Sequence, residues 1–223
     1  MKFILARKVN MSQVFTKDGR VIPVTVLEAP SCKVTLVRTA ERDQYRAVQV
    51  ALGKVKREFR FAEGEYQIGQ ELKVSDFVAG EVVNISGLSK GRGFTGAVKR
   101  HGFHGAPASH GHDHPRAVGA IGQRFPQHVR PGLRMAGRFG GGKATVKHSV
   151  IVAVAPEKNL LFVKGGVPGA PGGLLEIRTT GQTKAYPEIQ SYGPAAAGEP
   201  AVEASAPAPV ESETAAVKEE LQK

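Results

Sequence analysis

Three histidines and a carboxylate within five residues, His110-Gly111-His112-Asp113-His114, are the densest metal-ligand grouping in the chain. Imidazole and carboxylate donors suit Zn²⁺ or Ni²⁺. Alternate spacing on a glycine-containing loop does not enforce a tetrahedron, and no Cys is near. Contact with phosphates and bases by partly protonated histidines is the better reading, and no metal or other cofactor is expected. Ser109, His110 and Asp113 assemble a triad only on paper, because sequence neighbours rarely have triad geometry. Gly91-Arg92-Gly93-Phe94-Thr95-Gly96-Ala97-Val98 fits G-x-G-x-x-G-x-V, the kinase-type glycine loop, but no H-R-D or D-F-G follows. Residues 97–120 also lack the amphipathic helix that a phosphate-binding turn should open. Gly137-Arg138-Phe139-Gly140-Gly141-Gly142-Lys143 nearly completes a Walker A, yet Ala144 stands where a Mg²⁺-holding hydroxyl belongs. No strand is expected to lead into it and no helix out of it. Glycines that let a chain lie against an RNA backbone explain both motifs better. A nucleotide-dependent enzyme with a basic mobile lid is the second reading.

The elements around these motifs read as strands. Gln13-Val14-Phe15 leads through Lys17-Asp18-Gly19 into Val21–Leu27, an Asp-Gly hairpin signal between β-branched runs. Such runs recur at Val34–Val37, Ala47–Leu52 and Val82–Ile85; Ser149–Ala155 is nearly all β-branched or small and apolar, Leu160–Lys164 returns the pattern, and Leu174–Arg178 reads as a closing strand. Pro156–Asn159 suits a turn, and Gly165–Gly173 is too rich in Gly and Pro to be an element. Short strands at regular spacing argue for a mainly β protein, a barrel or a sandwich. The expected organisation is one β-domain made of 1–88 and 149–192, interrupted by an insertion over 89–148.

Charge singles out that insertion. The whole chain carries 31 Lys and Arg against 20 Asp and Glu, a net charge of +11. A surplus of that size attracts a polyanion. Eleven of the cations lie in 89–148 with one acid, Asp113, so the insertion alone carries +10. All seven histidines are there, and only ten of its 60 residues are Leu, Ile, Val or Phe. Such a segment is not expected to fold alone, which points to ordering by a partner. Lys90, Arg92, Lys99, Arg100, His110, Arg116, Gln123, Arg124, Arg130, Arg134, Arg138 and Lys143 are the candidate RNA contacts. Phe94, Phe103, Phe125 and Phe139 lie among them and could stack on bases, or anchor the insertion to the β-domain. Residues 193–223, rich in Ala, Pro and Glu with two Lys against six Glu, read as a disordered acidic tail.

Other chemistry is sparse. The single cysteine, Cys32, allows no disulfide within the chain and fits a reducing cytoplasm. The N-terminus is charged again before an apolar region develops, so no signal peptide is expected. No apolar run approaches the ~20 residues of a membrane helix, and no membrane partner is expected.

Several stretches are similar to one family. They are Lys8–Gly19 with Ile22–Val26, Ser86–Phe94, Val98–Arg100, Ala108–Gly111, Gly119–Gln123, Met135–Gly137, and Asn159–Gly165 with Val167–Gly169. In this order they resemble the universal large-subunit ribosomal proteins of the L-three family, in their bacterial form, over residues 1–180. The resemblance implies a translation-protein-type β-barrel with a long irregular basic extension that enters rRNA towards the peptidyl-transferase region. It implies no enzyme but a primary binder near the 3′ end of 23S rRNA that nucleates subunit assembly in the cytoplasm. Neighbours of the L-fourteen and L-nineteen families are implied as well. Gln123 matches a glutamine whose amide nitrogen can be methylated, which implies a glutamine methyltransferase as a partner. Two departures are visible: Asn10 stands where the family usually has Gly, and the segment between Gln123 and Met135 is one residue shorter than usual.

Overall fold

The Asp18-Gly19 signal forms the first hairpin of the chain. In the computed structural model, which describes residues 1–61, 64–185 and the backbone of 189–191, strand β1 (Phe3–Thr16) turns into β2 (Val21–Glu28). Gly19 takes φ 77°, a left-handed conformation that glycine adopts without steric cost, and its N–H donates to the Thr16 carbonyl. The Thr16 hydroxyl accepts from the Arg20 N–H at 3.1 Å. Next come β3 (Cys32–Arg38), the short helix α1 (Ala40–Asp43), β4 (Ala47–Leu52), β5 (Val55–Arg60), β6 (Glu71–Leu72) and β7 (Glu81–Leu88). The second half holds β8 (Phe94–Thr95), α2 (Ala97–His101), β9 (Gly137–Arg138), β10 (Lys143–Ala155), β11 (Leu160–Lys164), β12 (Leu174–Thr183) and β13 (Ile189–Ser191).

The protein is mainly β. The largest sheet runs β12-β7-β10-β11-β2-β1-β13, and β12 pairs with β1 as well, so the ladder returns to its first strand. A second sheet, β5-β4-β3-β6, is separate from it. The sequence pattern marked β1–β4, β7 and β10–β12 at least in part and missed β5, β6 and β13. It could not tell that the strands divide between two sheets, because period 2 reports which face is apolar and not which strand is the neighbour. One core joins the two sheets: Ile4, Leu5, Ile85, Ile151, Leu161 and Ile177 share a cluster with Val34, Val48, Val50 and Phe59. Phe3 stacks on Phe59 with centroids 4.7 Å apart. Each such side chain contributes about 1.5–3 kcal/mol when fully buried.

Strand β10 begins at Lys143, well before the apolar run at Ser149. Residues 143–148 are mostly exposed and hold only Ala144 and Val146 as apolar residues, too few to mark a strand, yet they pair with β7 from Lys143↔Leu88 to Val146↔Ile85. The register shifts before Ser149↔Val83. At this bulge His148 takes φ 56°, and its N–H donates to the Asn84 side-chain carbonyl at 3.0 Å. The expected Gly165–Gly173 loop is held from below by Lys8, whose ammonium donates to the Val167 and Gly169 carbonyls at 2.9 and 3.3 Å. Partial burial, with the Lys90 charge nearby, lowers the pKa of that ammonium. The tail expected over 193–223 lies outside the described residues, as do 186–188 and 192.

Candidate nucleic-acid interface

Residues 89–142 leave the large sheet from the end of β7 and return at the start of β10. The two arms are bonded to each other just above the last ladder pair. Ser89 N–H donates to Gly142 O at 2.9 Å, and Gly141 N–H donates to Ser89 O at 3.1 Å. Arg92 N–H donates to Phe139 O at 2.8 Å, and Phe139 N–H donates to Gly93 O at 2.9 Å. Above them β8 pairs with β9 as Phe94↔Arg138 and Thr95↔Gly137. Gly140, at φ 74°, approaches so closely that a Cβ there would lie 2.1 Å from the Lys90 carbonyl. Glycine is required by contact as well as by conformation.

The two nucleotide-like motifs are these two arms. Each is bonded to the other, so neither forms the strand–loop–helix cradle that a nucleotide needs. One expectation changes: a helix does open after Gly96, but α2 has only five residues before Gly102, at φ 73°, ends it. Another changes with it, since the short strand β9 opens the Walker-like stretch. At its far end Lys143 begins a strand instead of a helix.

Arg100 has a task that its charge alone did not reveal. Its guanidinium donates to the Met135 carbonyl at 2.8 Å, and His101 Nε2 lies 3.1 Å from the same oxygen. A Cβ on Gly137 would come within 2.6 Å of the Arg100 Nη1. Arg100 is therefore half-buried and ties α2 to the returning arm. Farther out, Ala106 N–H donates to Pro115 O at 3.1 Å.

Beyond this point packing ends. From 107 to 134 every residue except Val118 is exposed. Lys90, Arg92, Lys99, His110, Arg116, Gln123, Arg124, Arg130, Arg134, Arg138 and Lys143 all present exposed side chains, and Arg100 is the exception. Ile121, Gln123, Phe125, His128 and Arg130 line an open concavity of about 340 Å³. The histidine group stays spread out: His112 and His114 have ring centroids 6.4 Å apart, and the His114 N–H donates to His112 Nδ1. Among the described residues no grouping of His, Cys, Asp and Glu is arranged to hold a metal. Lys143 differs from the other cations, because its ammonium meets Glu176 of β12 at 2.9 Å. Glu176 also faces Arg57 of β5 at 3.6 Å. Neither Glu176 nor Lys8 carried a sequence signal, since each acts on residues far away in the chain.

The sequence model of the family described as ribosomal protein L3 matches residues 7–157. A large ribosomal subunit protein uL3 from Carboxydothermus hydrogenoformans is 42% identical over 201 residues, 79% of this chain and 96% of that protein. Its namesake in Acidothermus cellulolyticus is 44% identical over 213 residues, 83% of this chain and 95% of that protein. One from Prochlorococcus marinus is 42% identical over 200 residues, 78% and 92% of the respective chains.

The chain belongs to the ribosomal protein L3 family.

The stretch matching the L3 family contains all twelve candidate RNA contacts and both bonded arms. Asn10, the departure from the usual L3 glycine, sits in β1 beside a register shift in its pairing with β2. It is not among the residues of positive φ, so its backbone is one that any residue adopts.

Proposed function

We propose that the chain is a structural constituent of the large ribosomal subunit, not an enzyme, and that it works in the cytoplasm as a ribosomal rRNA-binding protein. The observation that carries this reading is the coincidence of nine Lys and Arg against one acid over 89–142 with near-complete exposure of 107–134, on an excursion whose base is firmly bonded. Exposed cations on a chain without a core suit a partner that brings its own shape and a dense row of phosphates.

The finer reading follows the family resemblance. The closed ladder acts as a translation-protein-type β-barrel on the surface of the subunit, within the β-domain of 1–88 and 149–192 to which the start of β10 adds 143–148. Residues 89–148 enter 23S rRNA near its 3′ end and reach towards the peptidyl-transferase region, and binding there nucleates assembly. Residues 193–223 take no part in RNA binding, because their charge has the wrong sign. Members of the L-fourteen and L-nineteen families are its neighbours. Gln123, exposed beside the tip concavity, is the substrate of a glutamine methyltransferase. Methylation would replace one amide donor with apolar area and leave the charge unchanged.

Binding of the full chain to large-subunit rRNA fragments across a salt series tests the core of this reading. With about six phosphates neutralised, the log–log slope is expected on the order of −4 to −5. A slope near zero would overturn it.

A further inference from the structure

We propose that Phe94 and Arg138, facing each other across the β8–β9 ladder, form a preformed seat for one unpaired RNA nucleotide. The base stacks on the Phe94 ring and the adjoining phosphate is held by the Arg138 guanidinium. The inference rests on the rRNA-binding reading above and names a subsite within it.

The four phenylalanines of the excursion are not equivalent. Phe139 is half-buried and the Arg92 guanidinium sits over its ring at 4.9 Å, so that face is occupied. Phe103 is half-buried and meets His101 edge-on. Phe125 is 72% exposed but lies at the tip, outside any strand or helix. Phe94 alone is both 80% exposed and mounted on a paired strand. Its partner across the ladder is Arg138, also exposed, and directly opposed residues project their side chains to the same face of a pair. The arms beneath are fixed by the Ser89, Arg92, Phe139 and Gly141 bonds, so little freedom is lost when a ligand settles there.

Charge selects the occupant. Residues 89–95 and 137–143 contain Lys90, Arg92, Arg138 and Lys143 and no carboxylate. An exposed aromatic ring framed by cations fits a base and its phosphate, whereas an apolar pocket on a protein would leave those cations desolvated.

The chain has no tryptophan, so Phe94→Trp installs a single reporter. The full-length variant is titrated with a large-subunit rRNA fragment and, separately, with inorganic polyphosphate, which offers phosphates without bases. Quenching by RNA but not by polyphosphate is expected. Phe15→Trp, exposed on β1, should stay unquenched in both titrations. Phe94→Ala should bind RNA about tenfold more weakly with its melting temperature unchanged, and Phe94→Tyr should restore binding. Unchanged Phe94→Trp emission at RNA saturation, together with full affinity in Phe94→Ala, would overturn the seat while leaving RNA binding by the chain intact. A response only to isolated large-subunit proteins would overturn it in favour of a protein pocket. If the unmodified chain binds no RNA, the seat falls together with the broader reading.

Discussion

The closed ladder and the excursion between β7 and β10 solve the same problem in opposite ways. In the ladder, Ile4, Leu5, Ile85, Leu161 and Ile177 have no exposed surface. In the excursion, Ile121, Phe125, Val129 and Leu133 are all exposed. The ladder offsets the entropy of ordering its chain with apolar burial, whereas the excursion has backbone bonds at its base and few apolar contacts beyond them. The difference teaches that one segment holds itself by burial and the other does not, which is the part that the proposed rRNA partner would complete. Damage to the first should appear as lost stability, and damage to the second as lost binding.

Ile177→Ala should separate the two most sharply. Removing that fully buried side chain should destabilise the fold by about 2–5 kcal/mol in denaturant unfolding, while rRNA affinity per folded molecule stays unchanged. A parallel loss of intrinsic affinity would mean that the two regions are coupled.

Arg124→Ala combined with Arg130→Ala should do the reverse. Affinity for rRNA fragments should fall on the order of tenfold to a hundredfold and the salt slope should shrink by about two, with an unchanged melt. An unaltered slope would remove these residues from the contact set.

Gly140→Ala probes the joint between the regions. The left-handed conformation alone costs an alanine about 1–2 kcal/mol, and its methyl, placed 2.1 Å from the Lys90 carbonyl, would force the two arms apart. Trypsin should then cut the excursion faster in the free protein, while the ladder resists as before. Equal cutting in both forms would show that the bonded arms do not control its order.

Glu176→Gln should have the smallest effect, below about 1 kcal/mol, because the Lys143 end of its ion pair is exposed to solvent and the neutral amide can still accept a hydrogen bond. A gain in RNA affinity would show that Lys143 is released for phosphate contact. A loss would assign Glu176 a part in positioning it.

Much of this division was legible beforehand. The Asp18-Gly19 hairpin and the runs at Ala47–Leu52 and Leu160–Lys164 appear in the structure at their expected places. The start of β10 was not legible, because Lys143–His148 offers only Ala144 and Val146 as apolar residues, and pairing with β7 is what makes it a strand. The bond from Arg100 to Met135 was hidden for a similar reason: charge suggested an RNA contact, and only folding brought a backbone carbonyl to the guanidinium.

By itself the sequence determined the mainly β character and the position and sign of the charge surplus, while its glycine motifs read only as chain able to lie against RNA and not as a joint between two arms. Composition and alternation act over a few residues, so they survive in one dimension. Tertiary structure decided that β12 closes the ladder on β1, that four strands split off into a second sheet, and that the two glycine motifs bond to each other. It also decided which phenylalanine stays bare. Each of these depends on pairing between segments distant in sequence, where hydrogen bonds and burial are satisfied only after the whole chain has closed.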